Sequence, residues 1–183
     1  MQIKNSSERY GSIAQLFHWT IVVLIIVQVV LAEQADDAGS LLAKAKILTT
    51  HKSVGMTVFM LAVLRLVWRF VSGAPASVTT AKVWQQRAAT VMHWALYALI
   101  LLTPLAGWLM SSAKSYSVSW FGLFTFPNLI APDPARFDQL KELHETLAQS
   151  MVVLAMLHAA AALKHHFFDR DNVLRRMLPM KLR

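Results

Sequence analysis

Residues 143–164 read LHETLAQSMVVLAMLHAAAALK. Between Glu145 and Lys164 no residue carries a full charge, and most side chains are apolar. Roughly 20 such residues cross about 30 Å of hydrocarbon as a helix. In lipid the backbone finds no water to bond, so a segment of this kind must be helical. Two histidines mark it, His144 and His158, fourteen residues apart. At 1.5 Å per residue and 3.6 residues per turn, that is about 21 Å and close to four turns. Both imidazoles therefore leave one helix face, at two depths.

Three further apolar runs lie upstream. The expected spans are about residues 13–31, 47–70, 91–110 and 147–163. The second carries Lys52 near its start and Arg65 and Arg69 near its end, and the third holds Pro104 and Gly107. Composition agrees: 56% of the 183 residues are hydrophobic and 15% charged, where soluble domains carry about 25% charged residues. The expected fold is all-α, an integral membrane four-helix bundle making one domain over 1–183. The links are polar, the longest running from Ser111 to Leu140 with Pro127, Pro132 and Pro134.

The formal charge of +8 could suggest nucleic acid; its distribution points to membrane orientation instead. The N-terminus, the second link and the C-terminus together hold twelve Lys/Arg against three acidic residues, and the other side holds six against seven. The positive-inside rule then puts both termini in the cytoplasm. The first span follows Lys4 and Arg9 as a signal peptide would. It is, however, longer than an apolar core of 7–15 residues and carries His18 and Trp19, so it is expected to remain as a helix.

With no cysteine, disulfides, thiolate metal sites, iron–sulfur clusters and covalently attached c-type haem are excluded. Five of the seven histidines, His18, His51, His93, His144 and His158, fall in or beside the spans. Ionisable groups at membrane depth are costly and mark functional sites. They sort into two levels. His51 and His144 are expected at the outer starts of helices two and four, and His18 and His158 near the inner ends of helices one and four. A bare ion usually wants more than two protein ligands, whereas a haem takes only two axial ones. Imidazole pairs on facing helices therefore read as bis-histidine haem ligation. Small residues beside the rings, Gly55, Ala148 and Ala155, would leave room for a flat macrocycle or simply pack helices. Arg65, fourteen residues after His51, is placed at the inner level, where it would meet a haem propionate or snorkel. His93 is also at the inner level. It either replaces His18 as a ligand or bonds a propionate or a quinone, and the second role is preferred.

The motifs Leu16-Phe17-His18-Trp19, His51-Lys52-Ser53-Val54-Gly55 and Leu143-His144-Glu145-Thr146-Leu147-Ala148 resemble the bacterial cytochrome b561 family. So does Leu157-His158-Ala159-Ala160-Ala161-Ala162-Leu163-Lys164-His165-His166, followed by Asp171-Asn172 and Leu174-Arg175-Arg176-Met177. The resemblance implies a bacterial inner-membrane protein with two haem b, ligated by His18 with His158 and by His51 with His144. It implies ubiquinone or another quinone as electron acceptor. One member type oxidises superoxide at the outer face, a superoxide:ubiquinone oxidoreductase; other members are cytochrome subunits that pass electrons for a partner redox protein. For superoxide, Lys52, Lys114, Arg136 and Lys141 are the candidate attracting charges, since cationic clefts raise anion on-rates. For a protein donor, Trp120, Phe121, Phe124 and Phe126 of the long link are the candidate docking surface. A third reading, a haem-free transporter with histidine proton relays, predicts a colourless protein.

Overall fold

A computed structural model describes residues 2–76 and 82–179. Four long helices dominate: α1 (Ser12–Asp36), α2 (Leu41–Ser72), α3 (Val83–Ala113) and α4 (Pro134–Lys164). All four are long and apolar enough to cross a membrane. Large apolar side chains point outward along them, among them Ile26 (59% exposed) and Leu157 (54% exposed). That is the pattern of a lipid-facing surface rather than of a water-soluble bundle.

The helices begin and end further out than the apolar runs. The polar stretch 33–46, expected as a link, narrows to residues 37–40, because α1 continues to Asp36 and the Ser40 side chain caps α2 by accepting from Ala43 N–H at 3.2 Å. Similarly, Pro134 opens α4 instead of standing in the link. Its fixed φ suits the first helical position, and Asp133 caps the turn by accepting from the amides of Ala135 and Arg136. Helices of 25 to 32 residues run about 38–48 Å, beyond the roughly 30 Å that hydrocarbon needs. In consequence His51 and His144 do not start their helices. Each has ten helical residues before it.

Along the bundle α1 packs on α2, α2 on α3 and α3 on α4, while α4 stands off from α1 and α2. Met151 is the one buried residue of α4.

The two ends of the bundle differ. At one end the α3–α4 link folds into a small antiparallel hairpin, β1 (Val118–Trp120) and β2 (Phe124–Phe126), which was not expected from the sequence. Ser53 of α2 pins it: its hydroxyl donates to Ser119 C=O at 2.8 Å and accepts from Phe121 N–H at 3.1 Å, and Trp120 Nε1 donates to Thr57 Oγ1. At the other end both termini meet the α2–α3 link. Asn5 Nδ2 donates to Gly73 C=O, Ala76 N–H to Ser7 C=O, and Tyr10 N–H to Arg176 C=O. There the chain after α4 makes a π turn at His165–Asp169, held by His165 Nδ1 against Asp171 and by Lys164 against Asp169. It then passes under α1, where Trp19 Nε1 donates to Met177 C=O. The N-terminus, the second link and the C-terminus thus share one end of the molecule.

Candidate functional site

Two pairs of imidazoles bridge from α4 to α2 and α1, helices whose backbones stand away from it. At the hairpin end His144 faces His51 of α2, with ring centroids 6.3 Å apart and planes turned by 78°. At the termini end His158 faces His18 of α1, with centroids 6.4 Å apart and planes turned by 86°. All four rings are half-buried. An imidazole nitrogen lies about 2 Å from a bound metal and roughly 1.1 Å from its own ring centre, so rings on opposite sides of one metal have centroids about 6.2 Å apart. Both pairs match that separation. A haem between each pair fits the donor set, since the macrocycle needs only two axial nitrogens from the protein.

His93 of α3 also reaches the termini-end pair, with its ring 5.3 Å from that of His158. That is too close for one iron to lie between them, so the spacing favours His18 as the partner of His158. Arg65 is at this level too, as its fourteen-residue offset from His51 predicts. Its Nη1 lies 2.8 Å from His18 Nδ1, and its Nε donates to Tyr97 Oη at 3.2 Å. A guanidinium only donates, so in this arrangement His18 Nδ1 is the acceptor. Arg69 lies over the rings of Trp94 and Tyr97. Arg65, Trp68, Arg69 and Tyr97 line a small pocket together with Asn5 and Tyr10.

At the hairpin end the ring is held differently. His144 Nδ1 lies 2.8 Å from the backbone oxygen of Thr103. A carbonyl only accepts, so Nδ1 carries the proton and Nε2 keeps its lone pair. This is the outer-shell contact that fixes the tautomer of a metal-bound histidine. His51 Nδ1, by contrast, is buried with no closely placed hydrogen-bond partner among the described residues, though the ring faces the backbone of Gln28 on α1.

Gly55 faces α1, where a Cβ would come 2.7 Å from Nε2 at the end of the flexible Gln28 side chain, so its neighbour in this structure is α1 rather than a histidine ring. The glycine against a candidate ligand ring is Gly107 of α3, whose Cβ would stand 3.0 Å from His144 Cε1. Sequence reasoning noted Gly107 only as a companion of Pro104. It missed Thr103, which acts through its backbone, and Tyr97. A signal existed: Gly107 follows His93 by fourteen residues, the offset already used for Arg65 and His158, and Tyr97 follows His93 by one turn.

The four basic candidates near the hairpin end part company. Arg136 pairs with Asp133 at 3.1 Å and Lys141 with Glu145 at 3.6 Å. Lys52 donates to Ser117 C=O and lies over Tyr116, and Lys114 lies over Phe137. Among the described residues neither of these two makes an ion pair.

The sequence profile of the family described as prokaryotic cytochrome b561 matches residues 9–180. The chain is 36% identical over 181 residues to cytochrome b561 homolog 2 of Escherichia coli K12, covering 97% of this chain and 95% of that one. It is 34% identical to cytochrome b561 homolog 1 of the same organism over 132 residues, 72% of this chain and 74% of that one. It is 29% identical over 175 residues to a probable superoxide oxidase of Yersinia pestis, covering 95% and 98%.

Proposed function

The chain belongs to the prokaryotic cytochrome b561 family, and on that footing we propose that it is a dihaem b-type cytochrome of the bacterial inner membrane. In this reading it moves single electrons from superoxide at the hairpin end to a quinone. The observation that carries it is the pair of imidazole couples at 6.3 and 6.4 Å, stacked four turns apart on α4. His51 with His144, and His18 with His158, are the residues that would hold the two haems. Haem b supplies one-electron redox chemistry at each place.

The protein's own part is binding, orientation and burial. The imidazoles hold each ring without a covalent link, and the Thr103 carbonyl orients His144. Arg65, at the level of the termini-end couple, would pair with a haem propionate, and His93 would bond a propionate or the quinone. Each superoxide loses one electron and becomes dioxygen; two such electrons and two protons turn quinone into quinol. The hairpin end faces the periplasm and both termini the cytoplasm, as the charge bias asks. Superoxide is an anion, and Lys52, adjacent to His51 and unopposed by a carboxylate, is the charge best placed to attract it, with Lys114 second. Arg136 and Lys141 are weaker candidates because their charges are matched by Asp133 and Glu145. The name of the Yersinia pestis relative supports the choice of donor.

A second reading makes the chain an electron conduit for a redox protein. The exposed tip of the hairpin favours it: Phe121, Leu123 and Phe124 are 55%, 74% and 46% exposed.

The deciding test has two stages. A reduced-minus-oxidised spectrum with a pyridine haemochrome count should give two haem b per chain; a colourless protein from haem-sufficient cells would overturn the assignment. The same preparation should reduce ubiquinone with superoxide, at a rate that falls as salt rises. No reduction, together with a stable partner in mild detergent, would favour the conduit.

A further inference from the structure

We propose that Gly107 is a positioning residue for the hairpin-end haem ligand, acting through the backbone carbonyl of Thr103. The inference rests on the assignment of His144 as a ligand. In an α-helix the carbonyl of residue 103 accepts from the amide of residue 107. A carbonyl oxygen has a second lone pair, and that is the one His144 Nδ1–H reaches at 2.8 Å. The Cα–Cβ bond of a helical residue leans toward the helix N-terminus. A side chain at 107 would therefore stand over that lone pair. The distances agree: a Cβ there would lie 3.0 Å from Cε1, 3.1 Å from Nδ1 and 3.8 Å from Nε2 of His144. Glycine lets the ring lie on α3 and bond the carbonyl together, whereas a Cβ would make the ring give by a few tenths of an ångström.

The bond has an electronic consequence. Donation from Nδ1–H makes Nε2 more basic, which favours the oxidised iron and lowers the potential of the haem it binds. Gly107→Ala pushes the ring off by a few tenths of an ångström and lengthens the bond. The hairpin-end haem should then bind about tenfold more weakly. Its oxidised-to-reduced ratio at fixed poise should fall by up to about tenfold, which is about 59 mV upward for a one-electron couple. The termini-end haem, about 21 Å away, should keep its content and its potential.

The experiment is a spectroelectrochemical titration with a haem count on full-length wild type, Gly107→Ala and His144→Ala. If His144→Ala keeps both haems, the ligand reading itself fails. If His144→Ala loses one haem but Gly107→Ala keeps both at wild-type potentials, the positioning role alone is overturned. Should Gly107→Ala lose both haems or not accumulate, the comparison moves to His144→Gly supplied with imidazole. Free imidazole is not tethered to α4 and can yield to a methyl group, so in that background Gly107→Ala should be silent. If it is equally damaging there, the Cβ meets something other than the ring and the proposal fails.

Discussion

At the hairpin end, His144 presents its Nε2 lone pair while a neutral carbonyl holds the proton on Nδ1. At the termini end, Arg65 donates to His18 Nδ1, which leaves the proton of the neutral ring on Nε2. The two imidazole couples have nearly the same spacing, yet the contacts behind His144 and His18 differ in kind. In the proposed ligation through Nε2, His18 would carry its proton on Nδ1 and Arg65 would take another acceptor. Equal geometry thus does not mean equal chemistry: the contact behind a ligand decides whether the ligand is ready. The Arg65 cation at the level of one couple and the neutral Thr103 carbonyl at the other also set the two sites apart electrically. Positive charge favours the reduced iron, and a basic ligand favours the oxidised one. The hairpin end is therefore expected to hold the lower potential, which is the downhill direction for electrons entering there.

The largest expected effect tests whether the two couples are separate at all. His51→Ala should remove the hairpin-end haem and leave the other, halving the haem per chain in a haemochrome assay. Equal loss of both haems in a folded protein would show that the pairing is wrong. Next in size, Arg65→Gln should lower the potential of the termini-end haem alone, by an amount on the order of 1 kcal/mol. A potentiometric titration in which the other haem moved instead would reverse the comparison. Lys52→Gln should slow superoxide-driven quinone reduction at low salt, by at most about tenfold, and by little at high salt; an equal loss at both would mean that Lys52 does not act through its charge. The smallest effect belongs to His93→Ala, which should keep both haems. Losing the termini-end haem there would hand the ligand role from His18 to His93. The nearly perpendicular ring planes of both couples sharpen the comparison further. Both ferric haems should give strongly anisotropic low-spin resonance signals, and a rhombic signal would show that loading turns a ring.

Much of this was legible beforehand, for a simple reason. Lipid forces each apolar run into a helix, and fourteen residues are close to four turns, so His144, His158 and Arg65 could be placed by depth and face alone. Helix ends could not. Leu41 and Leu42, 88% and 81% exposed, continue a helix past the hydrocarbon, where a cap such as Ser40 rather than apolar patterning decides. The hairpin was hidden among prolines and aromatics, and what holds it is a pair of hydroxyls, Ser53 and Thr57, on a distant helix. Thr103 was invisible in a different way: its contribution is a carbonyl, which every residue has. Gly107 was visible as a letter but not as a contact, because what matters is the ring that lies against it.

The position of α4 bears on how the molecule is made. It is the last of the four helices to leave the ribosome, and it brings one imidazole to each couple. A chain halted before residue 144 owns neither couple. One halted between 144 and 158 owns only the first. In the proposed reading, no haem would find a pair of ligands until the final span enters the bilayer and closes against the rest.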